Sequence, residues 1–583
     1  MTRFARLLLL SLLLPAGVQA AVPEAPVLAE PEAPVVMAPE AAPEAVPAPL
    51  PEGFAGVLAR RLAEESRAVA GRTVDLDRLR RFYTPRAFAP AWIDDGTDDA
   101  AVKASARAVL AGLRGADADG LSVADYHADA IAQRLDGVGE KDRAELELLL
   151  SDAVMRYAAH VRAGRLAPKT ISGDFAEVTP PTVDAPALAA AVSAAEDAGA
   201  ALAALAPARP DYVALKDALK RLRALEAAGG WPLVPAPRAA KLEPGMRDPA
   251  VKALRKRLAV TGEFDGKPDA KAAASEVYDP ALRKAVERFQ ARHGLFVDGV
   301  VGATTIAALN VPVGERIGQA VANLERLRWL PDSFGARHVL VNVPDFTLKA
   351  VDGGTVVHDM RVIVGTKVRR TPILSSQITS VVLNPTWTVP VKLAKEDYLA
   401  KFIRDPGYPK SHGFTVYSGW SSDARPLDAG RIDWKALGTG IGRLRLRQDP
   451  GPQNALGQVK FNIPNGFDVY LHDTPSREKF DKTVRTFSSG CVRVGRPLDL
   501  ADFVLSGIPD WPAERRQAQL EKGETKTVVL KAPVSVHILY QTAWVDAAGT
   551  LQFREDIYGR DGEFLELLAR KAMAGQKVAD ARG

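Results

Sequence analysis

The sequence predicts a multidomain α+β protein: a helical scaffold, a small three-helix module and a β-dominated domain with a lid insertion. Three observations predict it. Apolar residues recur at helical spacing from about 53 to 240. Two Asp-Pro helix starts follow within 241–312. From about 337 the apolar period changes to two.

The chain has 583 residues, room for about four domains at roughly 150 residues each. Apolar residues make up 47% and charged residues 25%, which excludes wholesale disorder. With 76 Lys+Arg against 71 Asp+Glu, the net charge is +5 and there is no basic block. Charge therefore gives no case for a nucleic-acid binder. A single cysteine, Cys491, excludes an internal disulfide and a cysteine zinc site.

Residues 1–20 have the layout of a secretory signal peptide. Arg3 and Arg6 precede the short apolar run Leu7–Leu14, and Val18-Gln19-Ala20 ends on a small residue. The run is far short of the roughly 20 residues a spanning helix needs. No later stretch is long and apolar enough to span. Export to a bacterial periplasm is expected, with no transmembrane span after signal cleavage. Residues 21–52 are rich in Ala, Pro, Glu and Val and read as an extended linker.

Within 53–240, Leu58 and Leu62 share a helix face, and Leu146, Leu149, Leu150, Ala153, Val154 and Tyr157 form a wider stripe. Asp117, Asp119 and Gly120 lack the full ligand spacing of a calcium loop and read as a turn. In 241–312, Asp248-Pro249 starts a helix with the stripe Val251, Leu254 and Leu258. Asp279-Pro280 starts another with Leu282, Val286 and Phe289, and Asp298-Gly299 is a turn. Residues 313–510 are expected to form the β-dominated domain, with strand alternation from about 337, as in Val339, Val341 and Val343. The alternation breaks at 391–442, an insertion long enough to act as a lid. Residues 511–583 read as a C-terminal extension. No metal or cofactor is implied, because no ligand cluster has recognisable spacing.

The chemistry lies in Val469–Pro475 and Phe487–Val494. A thiolate is a strong nucleophile, and a nearby imidazole can take the thiol proton. His472 ends a strand pattern and Cys491 follows a Ser-Ser-Gly turn, so both are expected at a sheet mouth. Gly490 allows close backbone approach, and N–H groups around Gly490 and Cys491 are candidate oxyanion donors. Arg493 shares a face with Cys491 and suits either a substrate carboxylate or a structural pairing with a protein carboxylate. Ser489, Tyr470, Trp387 and Asn454 complete the candidate substrate contacts. Core packing competes as a reading for Trp387 and Tyr470, and a turn role for Asn454. His338, His358 and His537 read as packing histidines, and His412 as a distant candidate contact.

The segments "VNVPDFTLKAVDGGTVVHDMRVIVGTKVRRTP", "VVLNPTWTVP", "PGPQNALGQVKFNIPN", "VYLHDTP" and "FSSGCVRV" occur in this order. Together they resemble the L,D-transpeptidase family with its YkuD-type catalytic domain, in particular the large YcbB-like branch. "AVERFQARHGLFVDGVVGATTIAALN" resembles a peptidoglycan-binding domain. The commonest family motif has a His before the Gly-Cys pair and an Asn two residues after the Cys. Here Ser489 and Arg493 stand there, so no role carries over for that His or Asn.

The resemblance implies that Cys491 attacks the diaminopimelate carbonyl of a tetrapeptide stem, expels D-Ala and forms a thioester. A second stem's amine then gives a 3→3 cross-link, with His472 as general base and acid and a backbone carbonyl orienting its ring. Carbapenems are implied acylating agents. The implied partner is peptidoglycan, with other cell-wall enzymes as candidate partners of the scaffold. The competing readings are an L,D-carboxypeptidase, a protein-anchoring enzyme and a non-catalytic wall-binding scaffold. A generic cysteine protease is disfavoured, because the motif order differs from papain-like enzymes.

Overall fold

The computed structural model describes residues 51–94, 102–136, 139–264 and 270–580. The expected signal peptide, and the linker up to residue 50, lie outside the described residues. Among the described residues, no helix is long and apolar enough to cross a membrane.

The N-terminal region is helical around one long central helix, Glu140–Ala163. Glu140 and Asp142 sit in its first turn and Arg162 in its last, matching the helix dipole. Leu146, Leu149, Leu150, Ala153 and Val154 are fully buried. This helix also buries Glu147, which accepts from Tyr83 Oη (2.8 Å) and from the N–H groups of Ala91 and Trp92. Asp119 is buried under Lys216 (2.8 Å) and Tyr212 Oη (3.1 Å), so this turn is a structural ion-pair site.

In the small module, Asp248 accepts from Ala250 N–H and Asp279 from Leu282 N–H, both at the starts of helices. The stripes Val251, Leu254, Leu258 and Leu282, Val286, Phe289 pack into one core. Gln290 ties down the Asp298-Gly299 turn by accepting from Gly299 N–H (2.9 Å) and donating to Val300 O (2.9 Å).

Helix Val313–Arg328 does not open the β domain as expected from the boundary at 313. Ala320, Leu324 and Leu327 pack instead against Tyr212, Leu215 and Leu219 of helix Pro210–Ala227.

The β domain starts at Arg337. Its strands are β1 (Arg337–Asn342), β2 (Thr347–Asp352), β3 (Thr355–Gly365), β4 (Leu374–Leu383), β5 (Val459–Asn462), β6 (Leu471–His472), β7 (Thr486–Ser488), β8 (Val492–Val494) and β9 (Lys526–Leu539). The order is β7-β3-β8-β6-β5-β4-β9-β1-β2, and a further β2–β3 pairing closes the sheet on itself. β9 lies inside the sheet, antiparallel to β4 and parallel to β1. The boundary expected at 510 therefore cuts through this domain. Val528, Val536 and Ile538 belong to the same core as Val339 and Val381.

The insertion is larger than 391–442. Its four-stranded sheet has the order Trp387–Thr388, Arg445–Gln448, Phe414–Tyr417, Pro426–Leu427. It has its own core, including Val389, Phe402, Val416, Trp434 and Leu446.

Candidate active site

Three adjacent strands build the site. On β5, β6 and β8 the residues Val459, Phe461, Leu471, Val492 and Val494 are fully buried and face the core. Pleat alternation then turns Lys460, Tyr470, His472, Cys491 and Arg493 to the other face. Register places Lys460 opposite His472 and His472 opposite Arg493, with β6 and β8 parallel. Val492 N–H donates to Tyr470 O (3.1 Å), which holds Tyr470 beside Cys491.

His472 is buried, and its Nδ1 lies 2.5 Å from Asp473 O. A carbonyl only accepts, so Nδ1 carries the proton and the Nε2 lone pair is left free. The side chain of Asp473 points elsewhere, accepting from Gln458 N–H (2.9 Å) and pairing with Arg477 (3.0 Å). Burial pushes the His472 pKa down to about 3; Arg493 and Lys460 add to this, and the Asp473 carbonyl opposes it. The imidazole is therefore neutral at pH 7.

Burial raises the Cys491 thiol pKa, while the Tyr470 N–H and hydroxyl and the cations of Lys460 and Arg493 pull it down. Burial in turn lowers Lys460, opposed by Cys491. Lys460 Nζ also sits 4.1 Å from the centre of the Tyr470 ring. The arrangement can hold a neutral thiol beside a neutral base, with two cations placed to favour the thiolate once the proton leaves.

The turn before Cys491 is tightly held. Gly490 has φ +117°, a conformation that glycine adopts without strain. Thr371 Oγ1 donates to Gly490 O (2.8 Å) and accepts from Gly365 N–H (2.8 Å). Ser488 Oγ donates to Cys491 O (2.5 Å) and accepts from Gly490 N–H (3.2 Å). The Gly490 N–H is thus engaged within the protein, which corrects the expectation that it is a free oxyanion donor.

Cys491, His472, Gly490, Arg493, Ser489, Tyr470 and Trp387 all line one cavity of about 1140 Å³. Asn454 does not. It is buried under the groove and donates to Pro385 O and Asp449 O (both 2.9 Å). This corrects its expected substrate contact: its amide is consumed in closing a turn. His412 is also absent from the lining, stacked on Tyr408 at 3.7 Å.

Sequence reasoning missed Lys460, whose signal was a lone cation between core residues Val459 and Phe461. It also missed the latch of the insertion. Arg369 forks onto Asp397 with two bonds of 2.7 Å, reaches Glu396 (2.7 Å) and donates to Ser489 Oγ (2.9 Å). Asp397, Tyr398, Lys401 and Trp420 of the insertion line the cavity.

Three stretches of the chain match known families. Residues 336–530 match the YkuD model, described as "L,D-transpeptidase catalytic domain". The chain carries an L,D-transpeptidase catalytic domain. Residues 247–309 match "Putative peptidoglycan binding domain" and residues 77–219 match "Scaffold domain". A Haemophilus influenzae protein named "Putative L,D-transpeptidase" is 36% identical over 239 residues. That alignment covers 41% of this chain and spans about half, 47%, of the relative. Two crystal structures of L,D-transpeptidases also match. The one from Xylanimonas cellulosilytica is 17% identical, covering 52% of this chain and 99% of that one, with a TM-score of 0.18. The one from Stackebrandtia nassauensis is 14% identical, covering 53% and 96%, with a TM-score of 0.20. At these TM-scores neither adds to the family assignment.

Proposed function

We propose that the protein is a peptidoglycan L,D-transpeptidase that forms 3→3 cross-links through a Cys491 thioester. The observation that carries this reading is the Nδ1-bound His472 on the strand next to Cys491, which leaves Nε2 as base. Nε2 takes the thiol proton as Sγ attacks the carbonyl on the L-centre of a stem's diaminopimelate. The tetrahedral intermediate collapses and the C–N bond to D-Ala breaks. His472 returns the proton to the leaving amine. The side-chain amine of a second stem then attacks the thioester, loses a proton to His472 and releases Cys491. Lys460 and Arg493 stabilise the developing negative charge, and Arg493 serves as the carboxylate contact. Ser489, Tyr470 and Trp387 shape the groove, and the insertion latched by Arg369 forms its cap.

The matched peptidoglycan-binding domain supports the wall polymer as partner. With the sequence features of residues 1–20, it supports a periplasmic location. The test is mass spectrometry of the full chain with a disaccharide-tetrapeptide, and Cys491→Ala in parallel. Loss of D-Ala with a 3→3 dimer, in the wild type only, is the expected result. D-Ala loss without dimer would replace the acceptor with water or a protein amine. Unchanged substrate from folded protein would overturn the enzyme reading in favour of a wall-binding scaffold. A carbapenem adduct is expected on the wild type and absent from Cys491→Ala.

A further inference from the structure

A second cavity, of about 590 Å³, lies where helix Pro210–Ala227, the peptidoglycan-binding module, helix Val313–Arg328 and a C-terminal hairpin meet. It shares no lining residue with the catalytic cavity. Arg221, Arg257, Arg288, Arg292 and Arg316 line it, and Glu263 is the one carboxylate among the described lining residues.

The two buried arginines are held by neutral acceptors. Arg257 donates to Leu309 O (2.9 Å) and Thr261 Oγ1 (2.9 Å), and its guanidinium lies 4.0 Å from the Trp231 ring centre. Arg316 donates to Gln319 Oε1 (2.6 Å) and Ala308 O (3.3 Å) and lies over Phe553. Glu263 is spent on Arg292 at 2.6 Å. Burial pushes Arg257 down to about 9; Glu263 opposes this, and Arg292 and Arg316 add to it. Arg316 falls to about 10 for the same first reason, with Arg292 again adding. Buried cations without matched anions are costly, and an entering anion would relieve that cost. At the rim, Arg221 is exposed and makes no ion pair among the described residues. The remaining wall mixes apolar and aromatic side chains such as Leu222, Leu225, Trp231 and Phe553 with the polar Thr261, His293, Thr550 and Gln552; ligand pockets commonly combine an apolar lining with a few polar groups.

We propose that this junction is a second binding site, taking a carboxylate-bearing peptide stem of the wall polymer. The choice of ligand rests on the peptidoglycan reading above. The site itself rests on the arginine cluster. A guanidinium fork fits a carboxylate with two parallel bonds, and the apolar wall suits the stem's aliphatic part. The site would hold a strand of polymer while the catalytic groove works on another stem.

Hydrogen exchange of the full-length Cys491→Ala chain tests this. The probes are a disaccharide-tetrapeptide, the same disaccharide without peptide, and inorganic phosphate. Slowed exchange at 288–293 and 549–553 with the glycopeptide alone is expected. Arg316→Gln should raise the half-saturating concentration for those segments by at least about thirtyfold. Arg221→Glu, at an exposed position that does not threaten the fold, should raise it about tenfold. Neither change should alter protection at 487–493. Equal protection by phosphate would overturn the carboxylate assignment. Protection at 487–493 without any at 288–293 would overturn the site and leave the catalytic reading intact. The reverse pattern would sink the catalytic reading and keep the site.

Discussion

Lys460 shows how a single cation can tune this thiol. It is half-buried on β5, beside His472 and over the Tyr470 ring. A cation there favours the thiolate over the thiol, against the burial that raises Cys491. Lys460→Met should therefore move the pH profile of iodoacetamide alkylation of Cys491 to higher pH. A fall of about tenfold in alkylation at pH 7 corresponds to an interaction of about 1.4 kcal/mol. An unshifted profile in folded Lys460→Met would remove this role. The substrate plays no part in the measurement, so the result stands apart from acceptor chemistry. His472 makes the complementary case. Removing a general base costs about 10²–10⁴-fold, so His472→Ala should lose that much kcat/KM in a stem-turnover assay. Cys491 and His472 were legible because their residue types advertise chemistry. The carbonyl of Asp473 that fixes the ring tautomer was not, since every residue carries one. The Asn454 side chain misled for a related reason: an amide serves a buried turn as well as it serves a ligand.

Among the elements, the turn ahead of Cys491 depends on groups distant in sequence. Thr371 bridges Gly365 N–H and Gly490 O, and its own carbonyl accepts from Arg560 (3.0 Å), which pairs with Asp174 (2.9 Å). A chain of contacts therefore runs from residue 174 to the catalytic turn. Thr371→Val keeps the shape but leaves two buried backbone groups without partners, a cost of roughly 2–4 kcal/mol. A lower urea midpoint and a lower kcat are expected, and Thr371→Ser should restore both. A normal kcat in a folded Thr371→Val protein would show that the turn holds without the bridge. The helices were legible because their stripes and Asp caps are local. The place of β9 was not, because its neighbours β4 and β1 come far earlier in the chain and sequence alternation carries no partner label. The insertion's first and last strands in the chain, Trp387–Thr388 and Arg445–Gln448, resembled strands of the main sheet, so its limits were drawn too narrowly.

Across the whole molecule, buried and half-buried histidines in three regions link folding to pH. His160 in the scaffold and His472 in the groove are each pushed down to about 3, with burial the largest cause. His537 on β9 falls to about 4, and His293 in the binding module lies well below its usual value, again through burial. In the unfolded chain each imidazole takes up a proton near pH 6.5. Between pH 6.5 and about 4 the unfolded state thus binds more protons than the folded state, and stability falls as pH falls. Glu147, Asp359 and Asp561 oppose this, because burial raises their pKa values and the folded state takes protons there. Four histidines against three carboxyls, with Asp152 and Asp279 lowered in the fold and so adding to the loss in acid, leave acid destabilisation as the net direction. Urea midpoints should therefore drop steadily from pH 7 to pH 4.5. His537→Gln, which can keep a bond to Ser375 Oγ (2.8 Å from Nδ1 in the wild type), should flatten that slope without lowering stability much at pH 7. If the slope is unchanged in His537→Gln and in a matching His160→Gln protein, carboxylates rather than histidines set the acid limit.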